Sequence, residues 1–166
     1  WGITSVKVLN FKDTDNLIDA SMEVAVSKGF IKSGDLVVLT AGVPAGIAGS
    51  TNLLKIENVS EILGRGTPIG KKKKKARALV ANRIEDLERD FKIKDIIVCQ
   101  GTDGRMIPYM EKSSGFITEE AGFTSNGAVA AISLGKTAIV GVKDITKKIK
   151  TGDLITIDPV DGTVRR

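Results

Sequence analysis

Histidine is absent from this 166-residue chain. That absence removes the usual nitrogen nucleophile, the phosphohistidine intermediate, the commonest general base and the commonest zinc ligand. There is one cysteine, Cys99, so no internal disulfide can form and no His–Cys pair can activate the thiol. Aromatic residues make up only 4%, too few for the stacking platforms by which single-stranded nucleic acid is held. No apolar run approaches the roughly 20 residues of a membrane-spanning helix. Neither a Walker loop nor a dinucleotide fingerprint is present. What remains is ordinary globular material, 42% hydrophobic and 27% charged with a net charge of +5. Much of that charge sits in one run, Lys71 to Lys75. The length suits one domain or two small ones. Trp1 leads at once into a strand-like segment, so the chain is expected to be part of something longer. The lone cysteine and the lack of a signal peptide lead to the expectation of a cytoplasmic protein.

Periodicity divides the chain into two α/β stretches. Ile3 to Leu9 alternates and predicts a strand. Asp13-Thr14-Asp15 offers a helix N-cap, apolar residues recur at helical spacing through Ser27, and Gly29 suits a C-cap. Leu36 to Thr40 is a continuous apolar run, expected as a buried parallel strand, and Leu53 to Val59 as the next strand. Gly64 to Gly70 is rich in glycine and suggests a joint, giving a linker over 62–70 between domains 1–61 and 71–166. Beyond it the pattern predicts strands at 76–82, 96–99, 115–118, 137–140 and 154–157. Helices are predicted at 84–91, 108–112, 125–134 and 145–149. Asp161-Gly162 predicts a hairpin turn into Thr163-Val164.

The second stretch carries an ordered set of motifs. Asp95-Ile96-Ile97-Val98 is followed by Thr102-Asp103-Gly104-Arg105-Met106-Ile107-Pro108. Then come Thr118-Glu119-Glu120-Ala121-Gly122-Phe123-Thr124-Ser125-Asn126-Gly127-Ala128, Leu134-Gly135-Lys136-Thr137-Ala138-Ile139-Val140-Gly141, and Gly152-Asp153-Leu154 with Gly162-Thr163-Val164. In this order they resemble the swivelling phosphohistidine domain of phosphoenolpyruvate-using enzymes, whose core motif reads roughly T-E-x-G-G-x-T-S-H-A-A. The resemblance implies a swivelling β/β/α fold. It places the phosphoacceptor at position 126, where this chain has Asn126. Asn126 has no nitrogen basic enough to accept a phosphoryl group. Gly127 stands where the family has Ala, and Ala121 where it has Gly. Thr124 and Ser125 remain at an expected helix N-terminus, which suits either a vestigial anion site or a plain N-cap.

The first stretch carries Gly34-Asp35-Leu36-Val37-Val38-Leu39-Thr40-Ala41-Gly42-Val43-Pro44 and Gly46-Ile47-Ala48-Gly49-Ser50-Thr51-Asn52-Leu53-Leu54-Lys55. These resemble the second half of the pyruvate kinase C-terminal domain, and some bacterial pyruvate kinases append a swivelling domain after it. The resemblance implies a partial α/β sheet layer followed by a swivelling β/β/α phosphohistidine-like domain. It also implies that Thr40, Gly42, Gly46, Gly49, Ser50, Thr51 and Asn52 come from an effector loop for a sugar phosphate or nucleotide. Glycines let backbone approach a phosphate, and the hydroxyls donate to it. A strand connection needing glycine only to turn is the competing reading. The expected partners are the rest of a pyruvate kinase chain and its homo-oligomer. The whole enzyme would move a phosphoryl group from phosphoenolpyruvate to ADP with Mg2+ and K+. This segment itself is expected to hold no catalytic residue, cofactor or metal.

Other residues admit two uses. Lys71 to Lys75 reads as a solvated basic ribbon, with an anion- or nucleic-acid-binding module as the competitor. Asp103 and Arg105 would either flank the phosphoacceptor region or pair with each other. Cys99 follows an apolar strand and is expected in the core. Glu119-Glu120 reads as structural rather than metal-binding. A phosphocarrier using Thr124 or Ser125 is the alternative function.

Overall fold

The computed structural model describes residues 2–8, 14–42 and 51–166. The chain forms two compact units, Trp1–Glu61 and Ile62–Arg166.

In the first unit, helix α1 (Thr14–Ser27) has Ile18 as its buried residue. Strands β1 (Leu36–Ala41) and β2 (Leu53–Asn58) form a two-stranded antiparallel sheet, with Val38 opposite Ile56 and Thr40 opposite Leu54. The expectation of a buried parallel strand at 36–40 is therefore corrected. Exposure alternates along β1, and Leu36, Val38, Leu54 and Ile56 present one exposed apolar face. An unbroken apolar run cannot distinguish a strand buried on both faces from one whose outer face is apolar and uncovered. The strand expected from Ile3 is also absent over residues 3–8, where no ladder partner is found among the described residues.

The second unit is a mixed α/β body. Its strands are β3 (Ile62–Arg65), β4 (Thr67–Ile69), β5 (Lys74–Val80), β6 (Ile96–Cys99), β7 (Gly115–Thr118), β8 (Thr137–Val140), β9 (Leu154–Asp158) and β10 (Thr163–Arg165). They run in the order β3-β10-β9-β5-β6-β7-β8-β4. Strands β5 to β8 are parallel neighbours. The crossovers between them carry α2 (Ile84–Asp90), α3 (Ile107–Lys112) and α4 (Asn126–Leu134). A short helix, α5 (Ile145–Lys148), precedes β9.

Residues 62–70, expected as a linker, carry β3 and β4 instead. These strands lie at opposite ends of the strand order but are separated in sequence only by Gly66. One bent segment thus hydrogen-bonds to both margins of the sheet and closes it. The Gly66 amide donates to the Gly162 carbonyl at 3.0 Å. A Cβ on Gly66 would lie 2.5 Å from the Val140 carbonyl oxygen and 2.8 Å from Val142 Cγ2. Glycine is required here for close packing, which a sequence reading cannot distinguish from flexibility.

Alternation along the parallel strands supplies two cores. Ile97, Cys99, Phe116, Ala138 and Val140 face Leu87, Met110, Ala128 and Ala131 of the crossover helices. Ile96, Val98, Ile117 and Ile139 point the other way, toward Ile145, Ile149, Ile155, Ile157 and Val164. Each fully buried large apolar side chain contributes about 1.5–3 kcal/mol. The small residues of α4 let it lie close on the sheet, with Gly127, Ala128, Ala130 and Ala131 buried.

Candidate functional site

The motif residues gather where the parallel strands end. Asn82 follows β5, Gly101 to Asp103 follow β6, Glu120 follows β7, and Asn126 opens α4. Together with Arg83, Glu85 and Arg105 they line an open cleft of about 710 Å³.

Each side chain here has a local reason for its place. Ser125 is the N-cap of α4, and its Oγ accepts from the Ala128 amide at 3.2 Å. The Asn126 amide group donates from Nδ2 to the Thr102 carbonyl at 3.4 Å. Ser125 is buried, whereas Thr124 and Asn126 are exposed. A Cβ on residue 127 would come within 3.0 Å of Thr118 Cγ2, so Gly127 is matched to the threonine beneath it. Thr118 in turn donates to the Glu120 carbonyl. Thr102 Oγ1 is buried and has no hydrogen-bond partner among the described residues.

Two of the charged residues lining the cleft, Asp103 and Arg105, pair with each other. Arg105 donates to Asp103 from its amide at 2.8 Å and from Nη2 at 2.9 Å. The Arg105 hydrogen bonds hold the Asp103 carboxyl below its ordinary range, although the pair is exposed. Asp86 Oδ2 accepts from the Asn82 and Arg83 amides at 3.1 Å each, fixing the start of α2. Glu119 Oε1 accepts from the Thr146 amide at 3.0 Å and its hydroxyl at 2.6 Å, which ties β7 to α5. Cys99 is buried in the core, and burial, then the charges of Glu120 and Glu119, push its thiol up to about 12. A thiol so shifted is not a nucleophile at neutral pH.

The sequence reading singled out Thr124, Ser125 and Asn126, and the structure brings them to one helix start. Asn82, Arg83 and Glu120 it did not assign to this cleft. Their common signal is position just after a parallel strand, the usual place for a site in such sheets.

In the first unit, Thr40 and Gly42 lie at the same end of the β1–β2 ladder as Thr51 and Asn52. The Asn52 amide donates to the Ala41 carbonyl at 3.1 Å. Gly46, Gly49 and Ser50 lie outside the described residues. No group of three His, Cys, Asp or Glu side chains converges among the described residues. No helix among them is long and apolar enough to cross a membrane.

Comparison with known proteins matches two stretches of the chain to two family models in succession. Residues 1–57 match the pyruvate kinase alpha/beta domain, and residues 91–162 match the mobile domain of PEP-utilising enzymes. Pyruvate kinase of Geobacillus stearothermophilus is 42% identical over 166 residues, all of this chain and 28% of the relative. Pyruvate kinase 2 of a Synechocystis strain is 40% identical over 164 residues, 99% of this chain and 28% of the relative. The chain thus spans about 28% of the length of these curated relatives. Among solved structures, the holo-form of aconitase X from Thermococcus kodakaraensis covers 61% of this chain and 95% of its own, at 21% identity and a TM-score of 0.48. That likeness is too low to carry an argument.

Proposed function

By domain content and order the chain corresponds to a pyruvate kinase C-terminal region, and from that premise we propose that it is the non-catalytic regulatory and structural segment of such an enzyme. In this reading the whole protein is a cytoplasmic homo-oligomer of glycolysis. It moves a phosphoryl group from phosphoenolpyruvate to ADP with Mg2+ and K+ held outside this segment. The first unit contributes part of an effector site through Thr40, Gly42, Gly46, Gly49, Ser50, Thr51 and Asn52. The second unit acts by packing, with a degenerate phosphoacceptor region at Thr124, Ser125 and Asn126.

The observation that carries the reading is residue 126. The side chain at the head of α4 is an amide hydrogen-bonded to the Thr102 carbonyl, and an amide cannot serve as a phosphoryl acceptor as imidazole does. Of the alternative, a phosphocarrier using Thr124 or Ser125, the Ser125 route is disfavoured because that hydroxyl is buried and caps α4, while Thr124 is exposed and is the residue at which that alternative is tested. Anion capture in the same cleft is disfavoured by its charges, since Glu85, Asp103 and Glu120 outnumber Arg83 and Arg105.

Isothermal titration of the chain with sugar phosphates, AMP and phosphoenolpyruvate at two salt concentrations tests the effector part. Saturable heat from one of the first two, abolished by Thr51→Ala with Ser50→Ala, is expected. Heat from none of them removes the effector loop from the proposal and leaves a packing role alone.

A further inference from the structure

At the opposite end of the same strands, the lysine run acquires neighbours from distant parts of the chain. Lys71, Lys72 and Lys74 at the start of β5 are joined by Lys94 before β6, Lys112 at the end of α3 and Lys136 before β8. These six lysines line one open cleft of about 1040 Å³, and its lining contains no carboxylate. Lys136 has a structural task, since its Nζ donates to the Ser113 carbonyl at 2.9 Å. Lys112 lies in the last turn of α3, where a cation favours the helix dipole. Lys73 points elsewhere and pairs with Asp158 at 2.9 Å. Of the two acids adjacent to these lysines in sequence, Asp95 is occupied by Arg77, which donates to it from Nε and Nη2, and Glu111 is exposed outside the lining. Lys71, Lys72, Lys74, Lys94 and Lys112 therefore face the cleft with no ion-pair partner among the described residues.

The lining also selects among anions. It contains no aromatic ring to stack on a base and no arginine fork for a phosphate. It does include Ile93 and Ile132, exposed by 73% and 62%. Apolar side chains beside unpaired lysines in a concave surface complement a segment that carries both carboxylates and apolar side chains. A bilayer is too flat to follow such a cleft. We propose that this lysine-lined cleft is a docking surface for an acidic peptide segment bearing apolar side chains, supplied by a protein partner. The surface shares no lining residue with the Asn126 cleft.

The test uses the whole 166-residue chain and fluorescence anisotropy of a fluorescein-labelled peptide of Glu-Glu-Leu repeats. Saturable binding that weakens with salt is expected. The triple reversal Lys71→Glu, Lys72→Glu, Lys112→Glu lowers affinity roughly tenfold or more, because each change replaces an attraction by a repulsion. The control reversal Lys28→Glu, Lys32→Glu, Lys143→Glu has the same net charge and changes affinity less than about twofold. Ile132→Ser weakens the Glu-Glu-Leu probe but not an all-Glu peptide. Far-UV circular dichroism checks folding, and the triple Lys→Gln variant supplies the intermediate loss should the reversal unfold the chain. Absence of binding overturns the proposal, as does equal weakening by the two triple reversals. Tighter binding of inorganic polyphosphate or of phosphatidylglycerol vesicles through the same lysines overturns the peptide assignment.

Discussion

Where β5, β6 and β7 end, the cleft beside Asn126 sets Arg83 and Arg105 against Glu85, Asp103 and Glu120; where the same strands begin, six lysines meet no carboxylate. The first end carries the motif, with Asp103 paired to Arg105 and its helix start capped by Ser125. The second carries no motif, yet holds the larger unpaired field. Sequence similarity therefore draws attention to the Asn126 end, while the electrostatics of this chain point to the other. Ser125, Gly127 and Thr118 serve the capping and packing of α4 whatever the chemistry of residue 126.

The largest effect is expected at the lysine end. Arg77→Leu leaves Asp95 buried without its cation and should cost about 3 kcal/mol or more in chemical denaturation. It should also lower affinity for anionic probes by freeing a carboxylate near Lys94. Next comes the closure that holds both ends in place. Gly66→Ala forces a Cβ against the Val140 carbonyl and Val142, and about 2 kcal/mol of destabilisation is expected by the same measurement. Ser125→Ala removes the N-cap of α4 at the motif end and should cost about 1 kcal/mol. That loss should leave the lysine-end affinity unchanged, which keeps the two ends separable.

The smallest effect is pH-dependent. Burial raises the Asp161 carboxyl, but hydrogen bonds from Thr163 and the Arg165 cation outweigh it and leave it below its ordinary value. A depressed folded value means stability that is present above the unfolded value of about 3.9 and lost as pH falls through the folded one. Asp161→Asn should therefore destabilise by about 1 kcal/mol at pH 7. Its melting temperature should converge on that of the unsubstituted chain as the pH falls through the depressed folded value.

Much of the second unit could be read directly from the residues. Ile96 to Cys99 and Thr137 to Val140 are short apolar runs between turn signals, and they became buried parallel strands because helices and the closed sheet cover both faces. The closing strands β3 and β4 were hidden because a glycine used for close packing looks like one used for a turn. Leu36 to Leu39 misled for a related reason, since apolarity records what a face could bury and not whether anything covers it. At the motif end, local sequence sufficed to place Ser125 and Asn126 at a helix start. The lysine cleft was only half visible. Lys71 to Lys75 stood out as a run, but Lys94, Lys112 and Lys136 join it through topology alone.

The central claim, that residue 126 leaves a folded but chemically silent phosphoacceptor region, is tested most directly by incubating the chain with phosphoenolpyruvate labelled in its phosphoryl group. Acid and alkaline quenches distinguish phosphoserine or phosphothreonine from phosphohistidine. The account predicts no incorporated label under either quench. Stoichiometric acid-stable label mapping to Thr124 or Ser125 would contradict it and make the chain a phosphocarrier.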